Sequence, residues 1–165
     1  MTSPLRHEDV CTLLRNKEDV DILTRKLFDV NLRLYRTSPR YREIVQSAAA
    51  YILHCAQTTR LGYKKPHGFS GANAGIPFNI IATPEEVMLN PRITSVHGGS
   101  TTRSTSNCGS LLLPEPIPIL RYQRITFEFW DLDLNKHERT GPYFTIQHEV
   151  DHNNGVLITG RRTSP

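Results

Sequence analysis

The chain has 165 residues, 38% hydrophobic and 22% charged, with a net charge of +4. These values suit one globular domain over 1–165 and exclude disorder throughout. No apolar run is long enough to span a membrane and the basic residues are scattered, so neither a membrane nor DNA is an expected partner.

Cys11, Cys55 and Cys108 are odd in number and irregular in spacing, which argues against a disulfide framework and for a reducing compartment. Residues 1–20 are polar and mixed in charge, and read as a tail or a short helix. Glu8, Asp9, Glu18 and Asp19 among the arginines argue against a transit peptide. The segment from Ile22 to Tyr35 ends in alternating Val30, Leu32 and Leu34, which predicts extended chain. Ser38-Pro39 then predicts a helix start. From Tyr41 to Gln57 the apolar face is Ile44, Val45, Ala48, Tyr51, Ile52 and Cys55. Tyr51 and Cys55 are expected to pack in the core, and His54 to lie on the surface.

His67 to Pro77 holds three glycines, Gly68, Gly71 and Gly75. Their spacing does not fit a dinucleotide loop and no Gly-Lys-Ser/Thr follows, so a turn before a strand at Phe78–Ala82 is expected. Glu85 to Pro91 carries apolar Val87, Met88 and Leu89. Val96 to Ser106 is rich in Gly, Ser and Thr and reads as a mobile loop. Pro114, Pro116 and Pro118 exclude helix or central strand over Leu111 to Leu120. Ile125, Phe127 and Phe129 alternate with Thr126, Glu128 and Trp130, which predicts a strand from Arg124 to Leu134, with a turn at Asp133–His137. No repeat and no linker interrupts the chain. Strands around a buried helix make the expected class α+β.

That helix contains Gln147-His148-Glu149-Val150-Asp151-His152. Gly141-Pro142 precedes it and Asn154-Gly155 ends it. Residues four apart share a helix face, so His148 and His152 can bind one metal ion with Glu149 beside them. The plain alternative is a helix with two ordinary histidines. Catalytic sites of this kind usually have three protein ligands and an open position. A histidine at position 158 would complete one familiar arrangement, but Ile158 stands there. Asn153 to Pro165 contain no Asp, Glu, His or Cys, so a third ligand lies upstream. The candidates are Cys108, His97, His137, His67 and the carboxylates. Cys108 is the most attractive, in Asn107-Cys108-Gly109-Ser110 between a polar loop and an apolar run. A closed structural site would need a fourth ligand, and no good one is present.

Three stretches in one order resemble the peptide deformylase family. Gln147 to His152 match its third motif fully, Cys108 and Ser110 match the second, and Gly68 and Ser70 match the first, with Gly75-Ile76-Pro77 following. The resemblance covers roughly Arg36 to Arg161. It implies a His-Glu-x-x-His helix enclosed by antiparallel sheets. It implies one divalent ion held by Cys108, His148 and His152, natively iron(II), with zinc, nickel or cobalt able to substitute. The implied reaction is hydrolysis of the formyl group from N-formylmethionine on nascent polypeptides. Glu149 would move the proton, and the Asn73 amide and the Gly109 N–H would face the oxyanion. Gly68, Ser70, Gly71, Phe144 and Thr145 would line the substrate.

The departures from the pattern cluster around the substrate. Asn73 stands for a glutamine, Gly109 for a leucine, Ser104 for an apolar residue, and Ser106 for a glutamate. The last leaves Arg121 without its usual partner. An altered N-acyl substrate, weak activity or a binding role is therefore the alternative. Asp151 is expected as a supporting or capping residue, and Gln147 as either a substrate-orienting or a helix-packing residue. His67, His97 and His137 are expected on loops or the surface. The segment after Gly160 is too short for a ribosome-docking helix, although proximity to the ribosome fits the implied substrate. The compartment would be mitochondrial or plastid in a eukaryote and cytoplasmic in a bacterium.

Overall fold

The computed structural model describes residues 24–58, 68–105 and 117–157. The first helix among the described residues, α1, is Leu32–Thr37. The alternation of Val30, Leu32 and Leu34 predicts extended chain, but Asn31 decides otherwise. Its side-chain oxygen accepts the Leu34 N–H at 3.0 Å and so satisfies a donor that a helix start leaves open. Leu34 consequently points outward, 45% exposed.

α2, Pro39–Thr58, starts where Ser38-Pro39 predicts. The Ser38 carbonyl accepts the Arg42 N–H at 3.0 Å, and its hydroxyl accepts the Tyr41 N–H at 3.3 Å. Proline costs nothing at the first helical position, where its missing N–H has no partner to lose. The buried face is Val45, Ala49, Ile52, Cys55 and Ala56. It is rotated slightly from the expected stripe, and Ile44 is exposed. His54 lies on the surface, as expected.

Five antiparallel strands form one sheet in the order β1-β2-β3-β4-β5. They are Phe69–Ser70, Ile80–Ala82, Val87–Thr105, Ile117–Trp130 and Lys136–Gly141. A third helix, α3, covers Phe144–Asn153. Successive strand residues face opposite ways, and this sorts the core into two clusters. Ile80, Ala82 and Leu89 join Val45, Ala49 and Ile52 of α2. Ile81 and Met88 join Ile125, Phe127 and Phe129 with Ile146 and Val150 of α3. The two longer helices therefore pack on opposite faces of the β2–β3 region. Each fully buried aliphatic or aromatic side chain contributes about 1.5–3 kcal/mol. The α+β class holds. Among the described residues, the strands expected as separate sheets join into one, with α3 against its inner face.

The loop expected in the β3–β4 arm is corrected. Residues 96–105 read as a mobile loop, yet they pair with β4 as far as Thr105↔Ile117. Ser and Thr suit a strand when a partner is present, and Gly98 and Gly99, both at positive φ, are absorbed in an irregularity between His97 and Ser100. Pro118 also lies in a strand, opposite Ser104. β5 pairs with β4 only over residues 125–130, so Pro118 sits where β4 has one neighbour among the described residues and a missing N–H is tolerated. His97 and His137 are correspondingly strand residues. His97 bonds Ser95 and Thr126 on the exposed surface. His137 bonds Asp131 at 2.8 Å and stacks on Phe129.

Candidate metal centre

α3 follows Gly141-Pro142 and stops where Asn154-Gly155 predicts. Gly155 takes a φ of +73°. The Val156 N–H then returns to the Asp151 carbonyl at 2.8 Å, and the Gly155 N–H bonds the His152 carbonyl at 3.0 Å. These bonds satisfy carbonyls that the helix end leaves open. Ile146 and Val150 anchor one side in the core. Glu149 faces Ser70 and Asn73 at the turn after β1, and His148 adjoins His152 and Arg121.

The two imidazole rings stand nearly perpendicular, at 85°, with their Nε2 atoms 2.9 Å apart. His152 is buried and His148 half-buried. Burial, with the Arg121 charge adding to it, lowers His148 to about 4. Burial first, and then the neighbouring His148, lowers His152 to about 3, against the opposing pull of Asp151. Both rings are therefore neutral near pH 7, the state in which imidazole binds metal.

Arg121 Nη2 lies 3.4 Å from His148 Nδ1. Two nitrogens each about 2.05 Å from one tetrahedral ion would be about 3.3 Å apart. The observed pair is close to that spacing, and the donor set fits a divalent ion. Among the described residues no third His, Cys, Asp or Glu joins the two. His97 and His137 are engaged elsewhere. Cys108, Gly109 and His67 lie outside the described residues.

Glu149 is 4% exposed. Burial pushes its carboxyl up to about 8, opposed by a hydrogen bond from Ser70 and by the Arg121 charge. Asn73 Nδ2 approaches Glu149 Oε2 at 3.5 Å. Gly68 lets this happen. A Cβ there would lie 2.7 Å from Thr145 Cγ2 and 3.1 Å from Glu149 Cγ, so only glycine allows the β1 strand to run this close to α3. Gly71 serves the turn itself, donating to the Ile80 carbonyl at 2.8 Å. Phe144 and Thr145 are half-buried, one helical turn before His148 and Glu149 respectively. Gly68, Ser70, Asn73, Thr145 and Glu149 are thus brought together around one point, with the two histidines on the same helix.

These shifts fix how the metal-free protein should respond to pH. Each histidine is protonated in the unfolded chain below its ordinary 6.5 but stays neutral in the folded chain down to about 3 to 4. Stability is therefore lost as pH falls below 6.5. Glu149 acts oppositely. It keeps its proton up to about 8 when folded but loses it near its ordinary 4.5 when unfolded, so stability is lost as pH rises between those values. Two histidines outweigh one carboxyl on the acid side. The thermal midpoint of metal-free protein should peak between about pH 6 and 7, and Glu149→Gln should remove the alkaline decline. A flat wild-type profile from pH 6.5 to 8 would contradict this account of Glu149.

Three features of the site are not visible in the sequence pattern. Arg121 is expected to lack its partner, but it has one in Asp151, with Nη1 to Oδ2 at 2.6 Å. Both side chains are buried, and the pair ties β4 to α3. Gln147 accepts the Tyr122 N–H and donates to the Tyr122 carbonyl, both at 2.9 Å. That reproduces a strand's pair of bonds just beyond the last β4–β5 pair, Ile125↔Gly141. The packing role expected for Gln147 accounts for its geometry. The third feature is Asn153. The sequence gives it no role, yet its side chain reaches the glycine turn. The available signal was a polar residue at a helical position next to His152.

A sheet with a buried helix bearing His-Glu-x-x-His defines a metal-helix protein of that kind. The sequence profile described as polypeptide deformylase matches residues 46–165. The chain belongs to the polypeptide deformylase family, whose members depend on a metal ion. It is 40% identical over 80 residues to the peptide deformylase of Chloroflexus aurantiacus, strain J-10-fl, covering 46% of this chain and 41% of that one. To the peptide deformylase of Ligilactobacillus salivarius it is 36% identical over 79 residues, 45% of this chain and 42% of the other. The chain thus spans about two fifths of the length of these curated relatives. In fold it is similar to the peptide deformylase of Thermotoga maritima, with a TM-score of 0.69 at 18% identity over 87% of this chain and 92% of that one. An actinonin-bound class I type b peptide deformylase from Acinetobacter baumannii gives 0.64 at 22% identity, covering 87% and 92%. No helix among the described residues is long and apolar enough to cross a membrane.

Proposed function

We propose that the protein is a metal-dependent peptide deformylase that releases formate from N-formyl-methionyl nascent peptides. The observation that carries this reading is that one short helix bears two histidines with adjoining Nε2 atoms and a buried carboxyl that a buried primary amide approaches. His148 and His152 would hold the ion, with Cys108 as third ligand and iron(II) as the native metal. A bound divalent ion supplies Lewis acidity, bringing the pKa of water toward neutrality and polarising a carbonyl.

The remaining work falls to side chains. Glu149 is the proton carrier. A carboxyl at this place can take a proton from water and hand it to the leaving amine, and a bound cation beside it would oppose the upward push of burial. Ser70 orients the carboxyl by donating to it. Asn73 Nδ2 lies 3.5 Å from Glu149 Oε2 and would donate to the oxygen that gains charge, with the Gly109 N–H as the second donor. Gly68, Ser70, Gly71, Phe144 and Thr145 flank the path of the peptide.

The test is formate release from a formyl-Met-Ala-Ser peptide by protein loaded anaerobically with iron(II), or with nickel, against metal-free protein. Turnover confined to the loaded protein is expected. A protein with one metal per chain that leaves the peptide intact would overturn the reading and favour another N-acyl substrate.

A further inference from the structure

Asn153 is 2% exposed in the last turn of α3, one residue beyond His152. Its Oδ1 accepts the Ala72 N–H at 3.3 Å. Its Nδ2 donates to the Ile80 carbonyl at 3.1 Å and to Asn79 Oδ1 at 3.0 Å. Its own carbonyl accepts the Leu27 N–H at 2.8 Å. One side chain thus fastens the turn after β1 and the start of β2 to the helix that carries the histidines.

Ala72 immediately precedes Asn73. An asparagine amide is only two bonds from its Cα, so the donor goes where the backbone goes. Asn73 holds its own turn through its N–H to Ser70 Oγ at 3.4 Å, and its side-chain amide lies at the long distance of 3.5 Å from Glu149 on α3. The Asn153 contacts tie the backbone on either side of that amide, at Ala72 and Ile80, to the same helix.

We propose that Asn153 is a positioning residue for Asn73: it draws the 71–75 turn onto α3 so that the short amide reaches the point beside Glu149 where charge develops. This rests on the deformylase reading. A merely structural role would lower stability alone. Positioning predicts a loss of turnover that a longer amide at residue 73 can recover.

Asn153→Leu, metal-loaded and measured where it is folded, should lower kcat about 10- to 100-fold and leave KM within about threefold, since loss of an oxyanion donor costs up to about 10³. Adding Asn73→Gln should recover kcat at least about fivefold without raising the thermal midpoint. Asn73→Gln alone should give no gain, because the turn is already drawn in. Should Asn153→Leu fail to fold, Asn153→Ser, whose hydroxyl is too short to reach Ala72, should show the same kcat loss and the same recovery. A kcat within about threefold of wild type, no recovery in the combination, or an equal gain from Asn73→Gln alone would overturn the positioning role. An inactive loaded wild-type protein would overturn the deformylase reading, and this one with it. An active wild type with an unaffected Asn153 variant would overturn this one alone.

Discussion

Glu149→Gln is expected to lower deformylase turnover by about 10²- to 10⁴-fold, the range that a positioned acid–base group contributes, while the protein keeps its full metal content. Glutamine has the same shape as glutamate and its oxygen can still accept from Ser70, so the pocket should not collapse. What it lacks is an oxygen that can take and return a proton. The carboxyl is held up to about 8 mainly by burial, so the substitution also removes an ionisable group from a dry environment. Metal-free Glu149→Gln should therefore be more stable than wild type at alkaline pH, where the wild-type carboxylate is charged and buried. Turnover and metal per chain check the two halves together. Unchanged turnover would remove Glu149 from the mechanism. Loss of turnover with loss of metal would make it a support of the site rather than a proton carrier.

Arg121→Met should destabilise the protein by about 3–5 kcal/mol, because it strands the Asp151 carboxylate, side chain 10% exposed, without its cation. The pair is 30 residues apart in sequence and joins the β3–β4 arm to α3. Asp151→Leu alone should cost a similar amount for the opposite reason, a guanidinium 5% exposed with no anion. The double variant should recover most of the loss, since two apolar side chains of similar volume can replace a buried ion pair at little cost. Urea unfolding checks this through the midpoints, with the slopes unchanged. Additive losses in the double variant would show that the two groups do not depend on each other.

The legible parts of the sequence were those where one pattern governs a whole element. α3 has its motif, an N-terminal break and a C-terminal glycine. β4 has strict alternation at Ile125, Phe127 and Phe129, and all three are fully buried. α2 has a continuous apolar stripe. The illegible parts depend on partners distant in sequence. β5, Lys-His-Glu-Arg-Thr-Gly, offers no apolar face and becomes a strand by pairing with β4. The 96–105 half of β3 has a loop's composition until β4 lies beside it. α1 turns on the single cap Asn31. Within the site, His148, Glu149 and His152 were readable because they share a helix. The links Arg121–Asp151, Gln147–Tyr122 and Asn153–Ala72 cross between elements, and no spacing rule connects them.

The long β3–β4 arm also acts as a ruler. Its last described pair is Thr105↔Ile117, and Cys108 is the third residue past Thr105 in the sequence. The histidines belong to a helix, so the distance between the two halves of the proposed ligand set is counted out in strand residues from the irregularity at His97 and Ser100. A slip of two residues would keep every side chain on its own face yet move the arm's end by about 6.7 Å. Metal–ligand bonds tolerate only about 0.2 Å. Two residues gained or lost within the arm would then disable the proposed centre by misplacing the Cys108 thiol, with the chemistry of every proposed ligand intact.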